Sequence, residues 1–306
     1  MRARPHKPTS SFTVGFLLFL TVAAVSGGAA AFERPTWEQL VFEQKSFWAT
    51  ARGVLTLSDM PAPAGATDAL GAAADNDVRG RLSLEVNNYV ASNSEQIMMT
   101  LDADTGATRF RWRLSRGRES RVKIHDYRDT FIARERREPP APDTAVSPAD
   151  WPTSHEMDVT LPPAADGRHL VATHALMVLL PTLMADPGAA DNYLLHTDLN
   201  FFRLEASVSD KPVTVDTEIV IDGESARRER ACRVLTLRVQ PMPGNPEGED
   251  FMLMGMSGKI HIFIDSGTGL PLRLRGDAPR IGRAELNLIE ATLRHGAGPR
   301  QPAAAP

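Results

Sequence analysis

The chain of 306 residues holds a single cysteine, Cys232. No internal disulfide is possible, so the fold has to be held by its core alone, and Cys232 reads as a small buried apolar residue. Aromatic residues are scarce, at 6% of the chain. Positive charge is not in excess, because 34 Lys+Arg stand against 38 Asp+Glu. That balance excludes general nucleic-acid binding, which needs a basic surface. No glycine-lysine loop of the phosphate-cradling kind occurs. His169 and His174 are spaced five apart, which does not place two ligands on one helix face, and no glutamate completes a zinc triad. No metal or cofactor is therefore expected. Gly255-Met256-Ser257-Gly258 lacks the last glycine of a nucleophile elbow. Without a nucleophile, a base and oxyanion donors in recognisable order, the chain reads as a non-enzymatic protein.

Long apolar runs are also missing, except near the N-terminus. Arg2, Arg4 and Lys7 precede the apolar segment 16–25, and small residues lead to Ala29-Ala30-Ala31. This order is that of a secretory signal, with cleavage expected after Ala31 and a periplasmic location. An uncleaved anchor is the alternative, but the apolar segment falls short of the roughly 20 residues a span needs. Loss of residues 1–31 removes three of the 34 basic residues, leaving 31 against 38 acidic ones, a formal charge of −7.

Composition divides the remainder. Residues 32–138 form an N-terminal β-rich half, 139–168 a Pro-rich linker, 169–294 a helix followed by a second β-rich half, and 295–306 a disordered tail. Met60 to Asp77, rich in Ala, Pro, Gly and Asp, reads as a flexible loop. Within the halves, oily and polar side chains alternate over 82–86, 110–114, 213–221, 234–239, 260–264, 270–274 and 286–293. A period of two means strands with one buried face. Two helices are expected, over Thr36 to Thr50, whose C-terminal part reads equally as the first strand, and over His169 to Met184, with Pro181 kinking or ending the second. The second is apolar nearly all round and should pack inside a sheet. The fold expected is mainly β (α+β), a curved antiparallel sheet or open half-barrel with one apolar helix in its concavity.

Two hairpins resemble each other. Residues 96–114 and 259–275 each run from a strand through an Asp- and Gly-containing turn into a strand where arginine alternates with apolar residues. They suggest two related halves. The turns Asp104-Thr105-Gly106 and Asp265-Ser266-Gly267 match the Asp-Thr/Ser-Gly pattern of aspartic proteases, so a dyad of Asp104 and Asp265 is the alternative, enzymatic reading. The simpler reading is that Asp and Gly are what hairpin turns require. Arg109, Arg111 and Arg113, with Arg273 and Arg275, would form a positive face for an anionic surface, making peripheral membrane contact. Phe110, Trp112, Met177, Leu180, Met184, Ile262 and Leu272 would line an apolar concavity for a lipid or lipoprotein acyl chain. An envelope protein is the other expected partner.

The run 255–294, with its strand ending at Asp265, turn Ser266 to Gly269, Leu270-Pro271-Leu272 and final strand through Leu293, resembles the closing strands of a bacterial periplasmic family of unknown function. That family is similar in architecture to the lipoprotein-localisation half-barrels, which shield acyl chains in transit. The resemblance covers the last third of the chain at most. It implies a curved antiparallel sheet around a helix, in the periplasm, without catalysis.

Overall fold

A computed structural model describes residues 31–45, 50–59, 80–90, 92–117, 119–141, 144–246, 251–279 and 282–294. The signal segment before residue 31, the loop Met60 to Asp77 and the tail 295–306 lie outside the described residues.

The protein is mainly β, one large curved mixed sheet with a single short helix. The first eight strands form a meander in which each pairs antiparallel with the next: β1 (Trp37–Lys45), β2 (Thr50–Ser58), β3 (Arg81–Val90), β4 (Asn93–Asp102), β5 (Thr108–Arg116), β6 (Arg121–Tyr127), β7 (Phe131–Arg137) and β8 (Thr153–Thr160). After β9 (His169–Ala172) and α1 (Leu176–Ala185) come β10 (Tyr193–His196), β11 (Phe201–Val208), β12 (Val213–Ile221), β13 (Glu224–Pro241), β14 (Ser257–Asp265), β15 (Pro271–Ala278) and β16 (Gly282–Leu293). β16 pairs with β1 and joins the two runs into one sheet. The sheet is mixed because β9 lies parallel to β10, and β12, already paired to β13, also touches β16 in parallel. Strands β12 to β16 thereby close a hydrogen-bonded circuit.

The helix expected over Thr36 to Thr50 is instead β1 and the start of β2. The register of β1 against β16 shifts twice, between Trp37 and Gln39 and between Val41 and Phe42. Those irregularities break strict alternation and bury Trp37, Leu40 and Val41, a spacing that imitates a helix face. The helix expected from His169 begins later. Residues 169–172 are a strand, Thr173–Ala175 a 3-10 turn, and α1 runs from Leu176 through Pro181 without ending there. The segment 139–168 is not linker throughout, since β8 lies within it as an edge strand with Val159 turned inward. Nor do the halves separate, because one sheet and one core span both.

The core follows from α1. Leu176, Met177, Val178, Leu179, Leu180 and Leu183 are all at most 2% exposed, so the helix is covered on every side. Its cover is the inner face of β1–β4 and β10–β16, including Leu55, Leu84, Ile97, Ile262 and Leu272. Each such aliphatic side chain contributes about 1.5–3 kcal/mol through burial. A second, separate cluster of Phe110, Trp112, Leu114, Val122, Ile124 and Trp151 lies on the other side of β5 and β6. Trp151, anchored by its indole N–H to the Val146 carbonyl at 3.0 Å, brings the Pro-rich segment over that face.

Two glycines with positive φ isolate the effect of packing from that of backbone. Gly223, with Asp222, turns β12 into β13; its φ is 85°, and a Cβ there would meet nothing within 4 Å. Gly106 has φ 71°, and its Cβ would lie 2.6 Å from a Leu179 methyl and 2.9 Å from the Phe32 ring. Gly223→Ala is expected to lose about 1–2 kcal/mol for the left-handed backbone alone. Gly106→Ala should lose about 1–3 kcal/mol more, from overpacking against α1. Urea unfolding of both variants checks this; equal midpoints would contradict the seat of α1.

Candidate functional site

Alternation gives β5, β6 and β7 an inner face of charged residues. Cross-strand registry lines up Arg111, His125 and Arg134 in one row and Arg113, Lys123 and Arg136 in the next. The loop after β10 folds onto these rows and supplies Asp198, which is 7% exposed. Arg134 grips it through two bonds, Nε to Oδ1 at 2.8 Å and Nη2 to Oδ2 at 2.9 Å. Lys123 donates to the same carboxylate. His125 approaches Oδ1 with Nε2 at 3.2 Å. A carboxylate only accepts, so this nitrogen carries the hydrogen; Nδ1 then accepts from Arg111 Nη2 at 3.2 Å. Arg111 also donates to the Thr197 carbonyl. Tyr127 meets His196 Nδ1 at 3.1 Å.

Burial sets the titration of this cluster. Burial and then the charge of Arg111, against the pull of Asp198, push His125 down to about 3. Burial, followed by the charge of Arg111, also holds His196 well below its ordinary value. Burial alone would raise the Asp198 carboxyl, but hydrogen bonds from His125, Arg134 and Lys123 hold it far below the usual range. The histidines are thus neutral and the carboxylate charged at neutral pH.

Beside the cluster opens a cavity of about 530 Å³. Its apolar wall includes Ala51, Val90, Ile97, Met252, Met254 and Leu286, and its polar wall Glu95, Arg111, Arg113, His174 and Thr197. Arg113 pairs with Glu95 at 2.5 Å. Burial brings His174 down to about 4, with Glu95 opposing and Arg113 and Arg111 assisting. Met254 has φ 52° and Gly255 φ 79°, a tight left-handed turn closed by the bridge between Leu253 and Met256. It lays the Met254 thioether over Gly53, where a Cβ would come within 2.4 Å of Cε.

These observations define the class: a mainly β protein whose curved sheet encloses one apolar helix, with a cavity and a buried charge cluster side by side. No protein-family model, no curated protein and no solved structure matches the chain. Among the described residues, no group of three metal-ligating side chains converges, and no helix is long and apolar enough to cross a membrane.

The residues singled out in the sequence are dispersed. Met177, Leu180, Ile262 and Leu272 are packed in the main core, with Met184 against it, and none borders the cavity. Phe110 and Trp112 belong to the second cluster, across the sheet. Arg111 is not a surface residue: it is 5% exposed and faces inward. Arg109 is exposed and paired with Asp102, while Arg273 and Arg275 pair with Glu285 beside the Phe263 ring. The five arginines therefore form no continuous positive face. Asp104 is exposed in its turn, whereas Asp265 is buried, 3.0 Å from Arg230 and 2.6 Å from the Thr268 hydroxyl. The β4–β5 and β14–β15 turns that carry them join strands at least five steps apart in the sheet order. The counterpart of Asp265 is Asp102, not Asp104. Gly106 and Gly269 donate to the carbonyls of Asp102 and Asp265, and Thr105 and Thr268 donate to their carboxylates. The shared pattern is Asp-x-x-Thr-Gly, a turn motif. Asp198, His125 and Glu95 are not singled out by the sequence; a lone aspartate after a short apolar strand is the only signal of the first.

Two predictions follow from these placements. Asp265→Asn leaves Arg230 charged and buried, and should lose about 3–5 kcal/mol of stability; Asp104→Asn should stay within about 0.5 kcal/mol of the parent. Denaturant midpoints compare them, and equal losses would restore a paired role for the two. The histidines set a pH dependence. The unfolded chain takes up their protons near pH 6.5, but the folded chain does so only near pH 3 for His125 and 4 for His174. Between these values the unfolded state binds more protons, so stability falls as pH drops, by up to about 1.4 kcal/mol per pH unit for each histidine. Asp198 adds its loss only below its ordinary 3.8. Urea midpoints should decline from pH 6.5 to 5, and His125→Gln should flatten the decline; a level profile would contradict the buried neutral histidines.

Proposed function

We propose that this protein is a non-enzymatic periplasmic carrier that holds a lipid-like ligand in the cavity between β2–β5 and the turn at Met254. The observation that carries the reading is the cavity itself. Its volume, about 530 Å³, falls in the range of roughly 300–1,000 Å³ that small-molecule sites occupy. Aliphatic and thioether side chains form one wall, and methionine adapts to irregular apolar ligands. Val90 and Met252 border it while 48% and 44% exposed, so apolar side chains reach the surface beside it. A lipid or a lipoprotein acyl chain suits such a wall, and the exposed Val90 and Met252 suit transfer to or from a membrane or an envelope protein. The basic N-terminal segment followed by an apolar run supports export. The interior already occupied by α1 is not the ligand site in this reading, since its residues are fully packed.

The test is displacement of a fluorescent fatty acid from the exported protein, with native mass spectrometry for co-purified lipid. Wild type is expected to bind, and Ala51→Trp, which fills the cavity from β2, should weaken binding tenfold or more, about 1.4 kcal/mol, with an unchanged circular dichroism spectrum. Absence of binding by the wild type, or equal binding by Ala51→Trp, would refute the carrier reading.

A further inference from the structure

The cavity and the charge cluster share Arg111, which pairs with no carboxylate among the described residues. Arg111 is 5% exposed, stands in the cavity wall and makes no ion pair among the described residues. Its Nη2 donates to a carbonyl and an imidazole, both neutral, and its Nε has no hydrogen-bond partner. A guanidinium cannot shed its proton to escape burial, and buried charges are ordinarily paired. The neighbouring carboxylates are committed elsewhere: Asp198 to Arg134, Lys123 and His125, and Glu95 to Arg113. Four cations thus face two carboxylates around the inner wall, in a chain whose overall formal charge is −4. Arg52 and Arg116 also line the cavity, with Glu119, which lies 3.6 Å from Arg121.

We infer that Arg111, with Arg113 beside it, seats an anionic headgroup, a carboxylate or phosphate, whose alkyl chain lies along the Ile97, Met254 and Leu286 wall. This rests on the carrier reading and adds the ligand class, an anionic amphiphile. A guanidinium suits both headgroups because its planar fork of N–H donors matches their paired oxygens. Arg111 and the methionines Met252 and Met254 line the same cavity, so one molecule with both characters meets both. Neutral His174, beside Arg113, adds a donor without adding charge.

The experiment compares decyl phosphate, decanoate, decanol and inorganic phosphate by calorimetry on the exported protein at pH 7.5. The two anionic amphiphiles should bind at least tenfold more tightly than decanol, and inorganic phosphate more weakly than decyl phosphate. Arg111→Met should abolish the preference, bringing the two anionic amphiphiles to the affinity of decanol. Arg113→Gln, at a half-exposed position, should narrow it and covers the case in which Arg111→Met does not fold. Decanol binding as tightly as the anions would overturn the headgroup seat and leave the carrier reading standing. Inorganic phosphate binding as tightly as decyl phosphate would keep the anion seat and overturn the amphiphile. No binding by any of the four would overturn both.

Discussion

Burial of α1 is the constraint on which the rest of this structure depends. A helix apolar on every side has no face to give to water, and a chain without disulfides has no other staple. The sheet must therefore wrap it, drawing β1–β4 and β10–β16 into one core. Gly106 lets the β4–β5 turn touch Leu179, so the helix fixes the turn as well as the strands. The cavity lies upstream of the helix, where Thr173 and His174 border it. The same packing that stabilises the fold thus decides where a ligand can sit.

The inner face of β5–β7 meets a different partner. It is polar, and the loop carrying Asp198 covers it rather than α1. Such a buried ion cluster adds little stability compared with an apolar replacement, because desolvation offsets most of the attraction. Its effect is positional: bonds from β6 and β7 converge on one carboxylate and fix the loop. The loop in turn presents the Thr197 carbonyl to Arg111 at the cavity wall. Charge organisation and cavity shape are therefore one arrangement, built from residues as far apart in the chain as Ala51 and Leu286.

The two hairpins illustrate how a local motif carries structure without chemistry. Asp102-Ala103-Asp104-Thr105-Gly106 and Asp265-Ser266-Gly267-Thr268-Gly269 make the same bonds, with glycine at positive φ in the last place. Aligning them on Asp104 suggests a catalytic dyad, whereas aligning them on their hydrogen bonds gives a turn. The sequence supports both alignments, and only the backbone distinguishes them. Asp265 then gains a second structural duty by neutralising Arg230 inside the β12–β16 circuit.

The strand segments at 82–86, 110–114, 213–221 and 260–264 were legible from alternation, because the pleat projects successive side chains to opposite faces whatever surrounds them. So was an apolar helix within a β-rich fold, since its residues could not be solvated. Alternation names two faces but not which is covered. On β5 both are: Phe110 and Trp112 lie under Trp151, and Arg111 lies under the Asp198 loop. The register shifts of β1 likewise hid a strand behind helical spacing. Period and turn chemistry are local and were fixed by the sequence alone. The cavity, the charge cluster and the fate of each aspartate were decided only by tertiary structure, because they depend on which distant segment closes over a face, and burial determines whether a charge is solvated or must find a partner.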